Sequence, residues 1–236
     1  MSTHSRWRLL LAGITLGLTA CEDPTGPPGI ALLLQVEVIS SEPAPAGAPP
    51  YEGPAAAPGI ESIDLNEVAL AIGGLELIAS TINGTEDFLL EEPVVVPLRL
   101  SGDPTLALST PVPTDEYRAI DVFVDKLDPG VPADDALIEV FPSLEGSSIL
   151  IRGSLVRNGV EELFAFTSPL SARRQDVFPA ARRFSSTFRS VALYTLTVEP
   201  DGWFDAGFGE LLDPNDPADQ AAIEANIAAS MELIQG

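Results

Sequence analysis

Along residues 30–39 (IALLLQVEVI), Leu32, Leu34, Val36 and Val38 fall on one face, with Gln35 and Glu37 on the other. This two-residue period predicts a half-buried strand. From residue 60 similar signals recur at short intervals. Val68, Leu70 and Ile72 alternate with Ala69 and Ala71; Gly73-Gly74 then suggests a bulge before residues 75–78. Residues 94–100 (VVVPLRL) form a strand whose Pro97 places it at an edge or a bulge. Residues 117–127 put Ile120, Val122 and Val124 on one face, ahead of an Asp128-Pro129-Gly130 turn. Asn83-Gly84 and Asn158-Gly159 are type I′ hairpin signals, the second lying between strands at 149–156 and 163–167. Residues 191–198 (VALYTLTV) end at a Pro200-Asp201-Gly202 turn. About eight to ten short strands with regular turns predict an all-β chain, an immunoglobulin- or transthyretin-like β-sandwich.

The tail changes period. Ile223, Ile227, Met231 and Ile234 recur at helical spacing, with Asp216 suited to the N-cap and Pro217 to the first helical position. A helix over 217–234, docked on the sandwich, is expected. Residues 41–59 are a Pro/Ala-rich loop and 22–29 (EDPTGPPG) a stiff tether. One domain thus spans 30–236.

The N-terminus departs from both periods. Arg6 and Arg8 precede the apolar run Leu9–Leu18, which is too short to cross a bilayer needing ~20 residues. The run ends in Leu18-Thr19-Ala20-Cys21, which resembles the bacterial lipobox. That resemblance implies a signal peptide over 1–20, cleavage before Cys21, and lipidation of its sulfur. Two or three acyl chains then anchor the chain stably to a membrane. Glu22 stands where an inner-membrane retention signal is usually Asp, which leans toward the outer membrane.

Removing the leader removes Arg6, Arg8 and the only histidine, His4, leaving 10 basic against 35 acidic residues and a net charge of −25. Phosphates are repelled by such a surface, which excludes non-specific nucleic-acid binding. With Cys21 the only cysteine, disulfides are impossible.

Three stretches of the body, LALSTPVPTDEYRAIDVFVDKL (106–127), EGSSILIRGSLVRNG (145–159) and GWFDAGFGELLDPNDPADQAAIEANIAAS (202–230), resemble an uncharacterised group of extracytoplasmic bacterial lipoproteins with sandwich domains. The resemblance implies the fold and carries no catalytic residues across.

Catalytic constellations are sparse. Without histidine or a free thiol there is no Ser-His-Asp arrangement, no Cys-His pair and no histidine or thiolate zinc site. The sole lysine, Lys126, sits between Asp125 and Asp128 and reads as a surface charge. Among 35 acids no carboxylate pair identifies itself, so a carboxylate-dependent hydrolase is only a second alternative. Asp213, Asn215, Asp219 and Glu224 match positions 1, 3, 7 and 12 of an EF-hand loop, but Pro217 and Ala218 occupy positions 5 and 6, where the turn needs glycine. Helix capping competes with Ca²⁺ as their role; a calcium- or solute-binding lipoprotein is the first alternative. Otherwise no cofactor is implied.

Charge is also segregated. Residues 173–189 carry Arg173, Arg174, Arg182, Arg183 and Arg189 with one acid, whereas residues 199–236 carry nine acids and no base. Either the two segments pair, or the arginines form a patch for an envelope protein or an acidic glycan. Trp203, Phe204 and Phe208 are either core or a sugar-stacking platform. The leading expectation is a non-enzymatic binding or scaffold lipoprotein of the bacterial envelope.

Overall fold

The computed structural model describes residues 30–39, 59–80, 86–184 and 191–236. Cys21, the tether, the 41–59 loop up to residue 58, Asn83-Gly84 and Arg189 lie outside the described residues. In chain order the strands are β1 (Ile30–Val38), β2 (Ile60–Ala79), β3 (Phe88–Leu90), β4 (Val94–Pro97), β5 (Thr105–Val112) and β6 (Glu116–Val124). After helix α1 (Pro132–Val140) come β7 (Ile149–Arg157), β8 (Val160–Ser168), β9 (Ala172–Arg183), β10 (Val191–Val198), β11 (Asp205–Gly207) and β12 (Glu210–Leu211). Helix α2 (Gln220–Ala229) and β13 (Met231–Gln235) end the chain.

Two sheets pack face to face, as the alternating pattern predicts. One has the order β13-β10-β1-β5. The other is built on β2, whose first half pairs with β7 and second half with β6; β8 extends from β7 and β9 from β6. β3 and β4 also pair with β2. Alternate residues of β1 (Leu32, Leu34, Val36, Val38) are buried against Leu70, Ile72, Leu75, Leu77, Ile120 and Val122 of the facing sheet. Apolar burial of this kind contributes roughly 25 cal/mol per Å² and dominates the favourable side of folding.

Several local expectations hold for stated reasons. Asn158 and Gly159 have φ of 52° and 72° and close the β7–β8 hairpin with both central residues left-handed. The pairing of β2 with β6 shifts register between Ile72 and Gly74, the predicted bulge. A Cβ on Gly74 would lie 2.2 Å from the Leu90 carbonyl oxygen, so β3 requires glycine there. At Gly153 a Cβ would meet the Asp64 carbonyl oxygen at 2.1 Å and the Phe164 ring at 2.9 Å; the ring fills the space the missing side chain leaves.

Four differences are equally informative. Thirteen strands appear among the described residues, because β9 and β13 were not expected as strands and the β11–β12 pair is too short to show a period. The Arg-rich segment is a strand, β9, paired with β6. Helix α1 was not expected: Pro132 opens it, and its first-turn acids Asp134 and Asp135 accept the Asp128 and Gly130 backbone N–H groups, both at 2.8 Å. With the 3₁₀ turn Pro142–Leu144 it covers a second cluster on the outer face of β2, comprising Ala69, Ala71, Val95, Leu127, Leu144 and Leu150.

The fourth is a correction at the tail. The helix spans 220–229, not 217–234, and its N-cap is Asp219 rather than Asp216. Ile223 and Ile227 dock it, as the stripe predicts, but Met231 and Ile234 belong to β13. Ser230 ends the helix, donating its backbone N–H to the Asn226 carbonyl at 3.0 Å and its hydroxyl to the Ile227 carbonyl at 2.8 Å. β13 then adds to the edge of β10 with Met231 and Leu233 inward and Ile234 outward. The four-residue step from Ile227 to Met231 continues the helical count by coincidence.

The corner between β5 and β6 is held by Tyr117, which is 1% exposed, donates its hydroxyl to the Pro113 carbonyl at 3.4 Å and meets Phe184 edge-to-face at 5.4 Å. Burial first, and the charge of Asp115 second, push its phenol up to about 12. In the unfolded chain a tyrosine ionises near pH ~10. Between those values the unfolded chain loses the proton and the folded one keeps it, so stability falls as pH rises through that window. Thermal melts from pH 9 to 12 are expected to show a steeper loss for the wild type than for Tyr117→Phe; parallel curves would contradict this.

Candidate binding surfaces

Of the five arginines of the candidate patch, Arg189 lies outside the described residues, and the other four do not face solvent together. β9 pairs residue by residue with β6, Arg173 opposite Phe123 and Arg174 opposite Val122, so these two side chains leave opposite faces of the sheet. Arg173 lies over the Phe123 ring at 5.7 Å and donates to Asp121 Oδ2 on the adjacent strand. Asp121 is fully buried, and its Oδ1 has no hydrogen-bond partner among the described residues. Removing Arg173 would leave a buried charge uncompensated, which commits that guanidinium to the fold. The bond from Asp121, then its charge, raises the Arg173 pKa further above its ordinary value.

Arg174 turns toward the tail. Its Nε donates to the Met231 carbonyl at 3.0 Å, Nη2 donates to the Ala228 carbonyl, and Nη1 to the carbonyl of Arg173 at 2.8 Å. The guanidinium therefore satisfies the Ala228 carbonyl at the negative end of the α2 dipole and ties it to the start of β13. The expected pairing of the Arg-rich segment with the tail is thus made here by backbone oxygens, not carboxylates. Arg182 is half-buried, its guanidinium 6.0 Å and 5.8 Å from the Phe178 and Phe184 ring centres. Arg183 is exposed. A single anion-binding patch of Arg173, Arg174, Arg182 and Arg183 is accordingly corrected: three of the four have internal partners.

The acidic loop before α2 is organised by backbone hydrogen bonds. Asp213 Oδ1 accepts the Asn215 N–H at 2.9 Å, Asp216 Oδ1 the Ala218 N–H at 2.9 Å, and Asp219 Oδ2 the Asp213 N–H at 2.8 Å. Asp213 Oδ2 takes Arg157 Nη2 at 2.5 Å, and Glu224 takes Ser168 Oγ at 2.7 Å and Gln220 Nε2 at 3.0 Å. Asp213, Asn215, Asp219 and Glu224 therefore do not converge as an EF-hand would. No group of three or more potential ligand side chains that could hold a metal occurs among the described residues. Lys126 pairs with Asp128 at 2.5 Å, a hydrogen bond that raises its pKa and keeps it protonated.

The aromatic trio divides. Trp203 is 1% exposed and donates Nε1–H to Ser230 Oγ at 2.7 Å; Phe204 is buried edge-to-face on Phe164 at 5.8 Å. Both are core. Phe208 is fully exposed, with φ of 58° between Gly207 at 86° and Gly209 at 82°. A bulky residue flanked by two glycines is the sequence signal of a protruding tip, and that signal points to Phe208 alone.

No family model, curated protein or solved structure matches this chain. Two openings among the described residues are shallow: a cleft of about 410 Å³ lined by Val38, Ile63, Asp64, Leu100, Phe204 and Leu211, and one of about 510 Å³ between β9 and β13.

Proposed function

We propose that this chain is a lipid-anchored, non-enzymatic binding or scaffold module on the extracytoplasmic side of a bacterial membrane, with the outer membrane favoured. The observation that carries the reading is Leu18-Thr19-Ala20-Cys21 behind a short basic and apolar leader, with Cys21 the only thiol in the sequence. The body is consistent with this role. No helix among the described residues is long and apolar enough to cross a membrane. Arg173, Arg174 and Arg182 have internal partners, and the openings described above are shallow. β1 and β10 run parallel, so Ile30 and Val191 mark one end of the sandwich and Val38 and Val198 the other. Eight residues separate Cys21 from Ile30, so in this reading the anchor joins the chain at the first end.

Cys21→Ser removes the only lipid attachment atom. The variant is expected to incorporate no labelled palmitate and to leave the membrane fraction or accumulate unprocessed. Palmitate label surviving the substitution would overturn the reading.

A further inference from the structure

We propose that the β11–β12 hairpin is a docking knob, inserting Phe208 into an apolar pocket of a partner protein whose rim carries Lys or Arg. This deepens the binding role proposed above and rests on it for the direction in which the knob points. The hairpin is a pedestal with a fixed base. Leu212 N–H donates to the Phe204 carbonyl at 2.8 Å, and Asp205 Oδ1 accepts the Gly207 N–H at 2.7 Å. From α2, Asn226 Nδ2 donates to the Asp205 and Trp203 carbonyls at 3.0 and 3.2 Å. Below it Trp203 and Phe204 are buried in the core.

On this base the chain holds three consecutive residues at positive φ. Glycine accepts that conformation freely; a phenylalanine does not, and exposing its ring to water adds a second cost. Neither cost is returned within the molecule, because Phe208 is fully exposed. A rigid aromatic at a loop tip is the type of side chain that anchors protein interfaces, entering a pocket with little further entropy loss.

Charge selects the partner. Asp201, Asp205 and Glu210 around the knob are exposed, and residues 199–236 contain no base. A pocket rimmed by Lys or Arg complements this surface. An anionic bilayer does not, and the knob's base, with Leu211 beside Val38 in one cleft, sits at the Val38–Val198 end, away from Ile30. A second copy would bring the same excess of acid against it.

The test uses the full, lipid-anchored chain in its own envelope, with the photocrosslinker p-benzoylphenylalanine at position 208 or, as a control, at Leu163, which is 82% exposed on β8. Position 208 is expected to give one discrete adduct with another protein, joined at a peptide flanked by Lys or Arg, and Leu163 none. Adding Glu210→Lys, an exposed change that should leave the melting temperature as it was, is expected to lower the adduct yield about tenfold or more. No adduct, an adduct of two copies of this chain, an adduct with lipid, or a yield indifferent to Glu210→Lys would each overturn the proposal. Palmitate labelling of the same cells separates the two readings: label retained with no adduct rejects the knob alone, whereas label absent rejects the anchor.

Discussion

Ile227→Asp is expected to destabilise the fold by about 4 kcal/mol or more, among the largest effects a single substitution can have here. Ile223 and Ile227 are the only buried side chains of α2, and both are fully buried. An aspartate at 227 loses the aliphatic contacts and places a carboxylate where the neighbours are apolar. Ile227→Ala separates the two contributions: it removes volume without adding charge, and a cost of about 2–4 kcal/mol is expected for it. Urea denaturation of the three proteins measures both differences. A change within about 0.5 kcal/mol for the Asp variant would mean that α2 is a solvated appendage. The consequence would also reach β9, because Arg174 holds its guanidinium against the Ala228 carbonyl of this helix and the Met231 carbonyl of β13. Loosening α2 would strand that charge beside the core.

The strands were legible where one face meets the core and the other meets water. β1 is the clearest case, since its alternation survives intact in the burial of Leu32, Leu34, Val36 and Val38. β9 was not legible, because Arg173, Gln175 and Val177 face outward while Arg174 and Asp176 share the inner face with Phe178, so polarity does not alternate. Nor was the buried Asp121, which sits within a run of otherwise apolar strand positions and takes its partner from β9, 52 residues away. At the tail, Met231 satisfies both the helical and the strand period, and only the β10 edge decides between them. Of the candidate site residues, the sequence could place arginines in one segment, but a strand sends neighbours to opposite faces. A patch inferred from sequence proximity is halved by that geometry alone. The flanking Gly207 and Gly209 marked Phe208 as a tip, but its full exposure depends on how Trp203 and Phe204 turn inward beside it.

Trp203→Ala is expected to cost about 3–5 kcal/mol, because the indole is 1% exposed and fills the space under α2. It also removes the hydrogen bond to Ser230 Oγ at 2.7 Å. Trp203→Phe removes that bond with a much smaller loss of volume. The Ser230 hydroxyl still donates to the Ile227 carbonyl at 2.8 Å, so the ring change is expected to cost only about 1–2 kcal/mol. Because Trp203, Ser230 and Ile227 form one connected chain of contacts, Trp203→Ala and Ile227→Asp should not add: once α2 is undocked, the indole has lost much of what it packed against. The double variant is therefore expected to fall short of the summed cost by about 1 kcal/mol or more, which equilibrium unfolding can read. The indole is its own probe, since the only other tryptophan is Trp7, in the proposed leader. Its emission is expected to be blue-shifted in the native protein and to move to the red in Ile227→Asp before the global transition. A native emission already at the wavelength of a solvated indole would instead place Trp203 at the surface, available for stacking, and would undo its assignment to the core.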